Sequence, residues 1–270
     1  MAWSFDRRPF LIAGPCVIEL GDVLPRVAEV LARLSAERGL PVCFKASFDK
    51  ANRARPGAPR GPGLEEGLRA LERVRSASGL PVLTDIHEPG QATPAAEVAD
   101  ALQIPAFLCR QTDLLMAAGR TGRPVNVKKG QWMPPEAMAG AVEKVRGAGG
   151  ADVAVTERGT FFGYGDLVVD MRSFIRLREA TGAPVIFDAT HSVQRPGQGA
   201  SGASGGDREF IPPLLAAAAV AGADGFFLET HPDPARAASD AATQWPLARL
   251  EELLDRTLDL WARARERAEV

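Results

Sequence analysis

The chain has 270 residues and five lysines, four of which, Lys45, Lys50, Lys128 and Lys129, fall in two short segments, FKASFDKANR and VNVKKG. The two asparagines of the sequence, Asn52 and Asn126, lie in the same segments. Arginine supplies nearly all other positive charge, so lysine kept here marks places where a compact ammonium is wanted and a wide planar fork is not. Such clustering suits a tight anion site. Chance combined with codon bias is the alternative reading.

Further reactive residues close short apolar runs: Cys16, Lys45, Asp85 with His87, Arg110, Lys128, Arg158, Asp188 with His191, and Glu229 with His231. The elements that must carry them can be read from a repeated pattern. GLPVCFKAS, GLPVLTDIH, GRPVNVKKG and GAPVIFDATH each combine a glycine that ends a helix, a proline that enters a strand, and an apolar run. FLIAGPC, ALQIPAF, DVAVTERG and GFFLETH supply four more runs, and Ala-, Leu- and Arg-rich helical stretches separate most of the eight. Eight strand-helix units in one chain predict a single α/β domain, a (β/α)8 TIM barrel over 1–270, whose chemistry gathers at the C-terminal ends of the strands. An open doubly wound sheet is the runner-up, and no glycine-rich dinucleotide loop follows the first strand to favour it. Two long segments, RARPGAPRGPG and QRPGQGASGASGGDREF, read as lids or disordered tips. The closing stretch LARLEELLDRTLDLWARARERAEV reads as the last outer helix.

Composition narrows the class. Hydrophobic residues make up 46%, charged residues 24%, and the net charge is −2. That balance fits a globular enzyme and lacks the basic surface that nonspecific nucleic-acid or membrane binding requires. The start, MAWSFDRRPF, has no signal-peptide apolar stretch, so a cytoplasmic protein is expected. Three cysteines, Cys16, Cys43 and Cys109, do not suggest a disulfide framework. Cys43 is expected in the core and Cys109 in packing.

The motifs IAGPCVIE, FKASFDKANR, RGPGLEEGL, PVLTDIHEP, LQIPAFLCRQTDLL, VNVKKGQ, ERGTFFGYGDLVVDMR, DATHSVQRPG and ETHPDP stand in this order along the chain. Together they resemble the 3-deoxy-D-manno-octulosonate 8-phosphate synthase family, in its metal-dependent branch. The resemblance implies a (β/α)8 barrel, commonly a homotetramer, that condenses phosphoenolpyruvate with arabinose 5-phosphate for lipopolysaccharide synthesis. It implies that Lys45, Lys128 and Arg158 hold phosphoenolpyruvate, with the Gln103 side chain and the backbone near Ala106 close by. Lys50, Asn52 and Arg53 then face the sugar phosphate or the gap between substrates, Ser47 and Arg60 join the substrate-binding set, and Arg110 reaches into a neighbouring subunit's site. The candidate catalytic set is Lys45, Lys50, Asp85, Lys128 and His191.

The resemblance also groups Cys16, His191, Glu229 and Asp240 as ligands of a divalent metal ion. A thiolate, an imidazole and two carboxylates make a mixed S, N, O set suited to zinc, iron, manganese or cobalt. Spacing alone carries little weight here; the family's metal-free branch has asparagine at the position of Cys16. His87 and His231 are either supporting groups behind the site or hydrogen-bonded histidines near the barrel mouth.

The sequence departs from the family in three loops: Ala54 and Arg55 replace two serines after KANR, Gly165 and Asp166 replace paired asparagines, and Ala241 replaces a glycine. These changes bear on sugar affinity and specificity. Two other functions are therefore considered: 3-deoxy-arabino-heptulosonate 7-phosphate synthase, which uses erythrose 4-phosphate and has a Lys-Pro-Arg-Thr segment in place of FKASFDKANR, and a catalytically impaired sugar-phosphate-binding paralogue.

Overall fold

A computed structural model describes residues 3–5, 9–53, 57–161, 163–199 and 205–266. Eight parallel strands, β1 (Leu11–Gly14), β2 (Val42–Lys45), β3 (Val82–Asp85), β4 (Ala101–Ile104), β5 (Val125–Lys128), β6 (Val153–Glu157), β7 (Val185–Asp188) and β8 (Gly225–His231), pair in sequence order. Pairing of Leu11 with Phe226 and of Gly14 with Glu229 closes β8 onto β1. The expected (β/α)8 barrel is the observed fold. Among the described residues eight α-helices surround it: α1 (Val23–Arg38), α2 (Leu64–Ser78), α3 (Ala92–Val98), α4 (Thr112–Arg120), α5 (Ala139–Gly147), α6 (Ser173–Thr181), α7 (Ile211–Ala221) and α8 (Leu250–Glu266).

The glycine-proline signals act by two mechanisms. Gly39, Gly79 and Gly182 follow α1, α2 and α6 in the left-handed conformation, at φ 59°, 71° and 59°, which glycine adopts without a Cβ penalty. After α4 the capping residue is Thr121, and Gly122 turns the chain one residue later. The prolines that follow donate no N–H, yet the carbonyls of Pro41, Pro81, Pro124 and Pro184 accept from Leu11, Phe44, Leu102 and Val155 on the preceding strands. Proline at this point therefore costs the ladder nothing on its accepting side.

Strand alternation then divides the side chains. Leu11, Val42, Phe44, Val125, Val127 and Val185 face outward into the layer shared with the helices, where Leu24, Val27, Leu31 and Leu34 of α1 recur at helical spacing. Ile12, Cys43, Leu83, Ala101, Ala154, Ile186 and Phe227 fill the barrel interior and join Trp3, Phe5 and Phe10. Two residues further along the same inward face stand Lys45, Asp85, Gln103, Asp188 and Glu229. One period-two pattern thus sets an apolar plug below and a polar layer above. Cys43 is core, as expected, and Cys109 is buried against Met133, with its sulfur 3.3 Å from the Met133 sulfur.

The long loop after β2 folds back on itself through Lys50 N–H to Arg60 O and Gly63 N–H to Phe48 O. After β7, residues 194–195 and 205–206 pair as an antiparallel ribbon. Neither described part is a bare tip. Residues 54–56 lie outside the described residues, and with them the Ala54 and Arg55 departure. Among the described residues no helix is long and apolar enough to cross a membrane.

Candidate active site

A cavity of about 1210 Å³ opens at the C-terminal ends of the strands. Among the described residues its wall carries five cations, Lys45, Lys50, Arg53, Lys128 and Arg158, against two carboxylates, Asp85 and Asp240. The excess of positive charge suits anionic ligands. Asn52, Gln103, Ala106, His87 and His191 also line it. The cations come from β2, the loop after β2, β5 and the exit of β6, so barrel closure is what joins the two lysine-bearing segments of the sequence.

Two of the buried lysines are paired with carboxylates. Lys45 Nζ donates to Glu229 Oε1 at 2.9 Å and to the Cys16 carbonyl at 3.1 Å. Lys128 Nζ donates to Asp188 Oδ2 and sits 3.5 Å from the centre of the Phe227 ring. Burial works to raise the Glu229 carboxyl, but Lys45, His191 and Lys50 outweigh it and hold its pKa at about 2. Asp188 is likewise held far below the usual carboxylate range: burial opposes ionisation, and His191, Lys128 and Arg158 overcome it. Burial lowers the pKa of both Lys128 and Arg158, with the Asp188 charge opposing. Lys50 is pushed up: burial pulls it down, and the surrounding Cys16, Glu229, Asp85 and Asp240 outweigh it.

Ser47 is fully buried and lies behind the cavity wall, where it donates to Asp85 and accepts from Lys50 Nζ at 2.9 Å. It therefore aims Lys50. Asp85 also meets His87 Nε2 at 3.1 Å, and Asn126 donates to Gln103 Oε1 at 3.0 Å, fixing the amide that faces the cavity. Arg60 and Arg110 are not brought into the cavity. Arg60 is exposed and paired with Asp49, while Arg110 is exposed on the outer surface.

Cys16, Glu229 and Asp240 come together at the cavity wall, which Asp240 lines, each offering a ligand atom within 4.8 Å of the others. Two residues before Cys16 the chain passes close to β2, and a Cβ at Gly14 would lie 2.0 Å from the Lys45 carbonyl oxygen. Cys16 Sγ donates to Asp240 Oδ2 at 2.9 Å, and burial, followed by Asp240 and Glu229, pushes the thiol pKa up. His191 stands beside the group, its Nε2 3.7 Å from Glu229 Oε1 and its Nδ1 2.8 Å from Asp188 Oδ2. A carboxylate behind one imidazole nitrogen leaves the other as an electron-pair donor, which is the usual arrangement behind a metal-bound histidine. Glu229 Oε2 is buried with no partner among the described residues. Donor types and this orphaned oxygen fit a borderline divalent ion.

Three contributors carried no individual role in the sequence reading. Gln194 joins Arg158 to Asp240, Ser239 donates to Asp240 Oδ2 at 3.2 Å and accepts from Arg53 Nη1 at 2.8 Å, and Asp188 anchors both Lys128 and His191. Gln194 lies within DATHSVQRPG and Asp188 ends a strand; Ser239 has no signal beyond adjoining Asp240. Of the departures, Asp166 pairs with Arg195 at 2.8 Å, and Gly165 takes φ 87°. His231 accepts from Asp233 N–H through Nδ1 at 3.0 Å and faces Glu19.

The DAHP synthetase I family model matches residues 4–263. A protein of Alkalilimnicola ehrlichii named 2-dehydro-3-deoxyphosphooctonate aldolase is 54% identical over 257 residues, covering 95% of this chain and 92% of the relative. The chain belongs to this family. A Nitratidesulfovibrio vulgaris protein of the same name is 55% identical, covering 94% of this chain and 93% of the relative. One from Pisum sativum is 51% identical, covering 91% and 86%. The shared name agrees with the FKASFDKANR segment, which separates this chain from the heptulosonate alternative.

Proposed function

We infer that the protein condenses phosphoenolpyruvate with D-arabinose 5-phosphate and water to give 3-deoxy-D-manno-octulosonate 8-phosphate and inorganic phosphate. This is a cytoplasmic transferase reaction serving lipopolysaccharide biosynthesis, and it fits the name 2-dehydro-3-deoxyphosphooctonate aldolase carried by the relatives. One observation supports it most directly: Arg158 is buried in the cavity wall and its Nη1 has no partner among the described residues. A buried guanidinium with a spare donor calls for an anion, and Lys45 and Lys128 line the same cavity.

In this reading Lys45, Lys128 and Arg158 hold the carboxylate and phosphate of phosphoenolpyruvate, with Gln103 and the Ala106 backbone beside them. Lys50, Asn52 and Arg53 hold the sugar. Bringing two phosphorylated anions together is electrostatically costly, and the fixed cations offset that repulsion before the reaction begins. The C2=C3 electron pair of the enol phosphate forms the new bond to the aldehyde carbon, whose oxygen takes a proton. Water adds at C2 and loses a proton, and cleavage of the C2–O bond releases phosphate. No lysine Schiff base is required, since the enol phosphate is a masked nucleophile. His87, anchored by Asp85 and lining the cavity, and Lys50, anchored by Ser47, are placed to orient sugar hydroxyls.

Cys16, His191, Glu229 and Asp240 would hold a divalent zinc, iron, manganese or cobalt ion, which when bound supplies Lewis acidity and a template for oxygen ligands. We further propose a homotetramer in which Arg110 completes a neighbouring site. Its exposure outside its own cavity supports this, as does the exposed stacked pair Phe107 and Trp132, with ring centres 6.0 Å apart.

Phosphate release from phosphoenolpyruvate, measured in parallel with arabinose 5-phosphate and erythrose 4-phosphate, tests the reading. Release should require the pentose phosphate and be far slower with the tetrose. Equal or reversed rates would move the chain to the heptulosonate reaction, and none with either sugar would favour a binding paralogue.

A further inference from the structure

Among the described residues, Gln194 is the side chain that hydrogen-bonds both Arg158 and Asp240. Its Oε1 accepts from Arg158 Nη2 at 3.0 Å, and its Nε2 donates to Asp240 Oδ1 at 2.8 Å. A guanidinium can only donate and an ionised carboxylate can only accept, so these partners fix which way the amide points. Gln194 is buried and starts the ribbon after β7, paired with Gly206. That ribbon is pressed against the loop after β8: a Cβ at Gly206 would meet Thr243 Cγ2 at 2.2 Å. The backbone of Gln194 is thereby held while its side chain spans two charged groups.

Asp240 is the second unusual partner. It has φ 50°, the one positive value among the described non-glycine residues, a region that L-residues enter at a steric cost. Its carboxylate is held by Gln194 on Oδ1, and by Cys16 and Ser239 on Oδ2. Its carbonyl accepts from Thr243 and Gln244 N–H, both at 2.9 Å. A strained backbone with a fully engaged carboxylate is a position whose orientation is set by its neighbours.

We propose that Gln194 is a positioning residue that couples anion binding at Arg158 to divalent-ion binding at the Cys16, His191, Glu229 and Asp240 cluster. This rests on the reading given under Proposed function. An anion taken by the free Nη1 of Arg158 fixes the guanidinium. The guanidinium fixes the Gln194 amide, and the amide holds Asp240 in the orientation that offers Oδ2 to the cluster. Linkage makes the effect reciprocal, so phosphoenolpyruvate should tighten the metal and the metal should tighten phosphoenolpyruvate by the same factor.

The test uses metal-stripped full-length protein, with Co²⁺ titrated by its thiolate charge-transfer absorption and phosphoenolpyruvate by calorimetry. In the unsubstituted protein, saturating phosphoenolpyruvate should lower the Co²⁺ dissociation constant about fivefold, at the modest end of allosteric couplings. Gln194→Met removes both hydrogen bonds at similar volume and should reduce that factor to about twofold or less, whereas simple attraction between a bound anion and cation would survive the substitution. A factor that stays above about twofold in Gln194→Met overturns the inference, as does no coupling in the unsubstituted protein. Gln194→Glu gives an independent arm at pH 8: it keeps an acceptor for Arg158 but turns a carboxylate toward Asp240. Co²⁺ binding to the phosphoenolpyruvate-free variant should weaken at least about tenfold, the effect of losing a group that orients a metal ligand. Unchanged Co²⁺ affinity there overturns the inference, and if Gln194→Met does not fold this arm decides alone. If the unsubstituted protein binds no phosphoenolpyruvate at all, the functional reading fails together with the coupling; if it binds both ligands independently, only the coupling fails.

Discussion

Cys16 and Asp240, 224 residues apart in the chain, meet at 2.9 Å between Sγ and Oδ2. The thiol belongs to the exit of β1 and the carboxylate to the loop after β8, and β1 and β8 are the pair that closes the barrel. Gln244 reinforces the join, accepting from Cys16 N–H at 3.4 Å and donating to the Ser239 carbonyl at 2.8 Å. The same contact that completes the fold assembles the candidate metal group.

Metal dependence is the first prediction. Chelation should abolish phosphate release, and Mn²⁺, Co²⁺, Fe²⁺ or Zn²⁺ should restore it to differing extents. Cys16→Asn should bind metal more weakly, because a carboxamide is a poorer ligand than a thiolate for these ions, and should show little metal-independent turnover. Full activity of protein shown by elemental analysis to be metal-free, in the presence of chelator, would falsify the assignment.

Arg158 should carry substrate affinity more than fold stability. Arg158→Met removes a guanidinium whose pKa burial already lowers, and leaves the Gln194 carbonyl without its donor. We expect KM for phosphoenolpyruvate to rise by at least about tenfold, in line with the loss of a charge-assisted hydrogen bond, with a smaller change for the pentose phosphate. Steady-state kinetics with each substrate varied in turn distinguishes this from a general loss of activity.

If Arg110 serves a neighbouring site, two inactive variants should complement one another. Mixing Arg110→Ala with Lys128→Ala under conditions of subunit exchange should recover part of the activity, since some sites then draw both intact residues from different chains. Demonstrated mixing with no recovery argues that each chain carries a complete site.

Acid stability should report on Glu229. Its folded pKa of about 2 lies below the ordinary value of 4.5, so its ionised form stabilises the fold above about pH 4.5, and that contribution is lost as pH falls toward 2. Glu229→Gln should flatten the fall in the urea midpoint between pH 5 and 3, even if the variant is less stable at pH 7. An unchanged pH profile would show that the Lys45 and Glu229 pair contributes nothing to acid sensitivity.

The sequence by itself determined the strands, the barrel and the identity of most polar groups at its mouth. These are local matters: proline and glycine act on their own backbone torsions, and period-two alternation forces Lys45, Asp85 and Glu229 onto the same face as Cys43, Leu83 and Phe227, two residues earlier in each case. Only the tertiary structure decided which charges neutralise one another. Nothing near Lys128 in sequence indicates that Asp188 is its partner, nor that Ser47 lies behind the wall aiming Lys50. Arg60 and Arg158 have the same side chain, yet one pairs with Asp49 on the surface and the other is buried with a free donor. Gln194 is the clearest case, a neutral residue whose part in the site exists because barrel closure sets Arg158 and Asp240 one amide apart. Electrostatic partnership depends on distance and burial across the closed barrel, and distance across the barrel is not a function of separation along the chain.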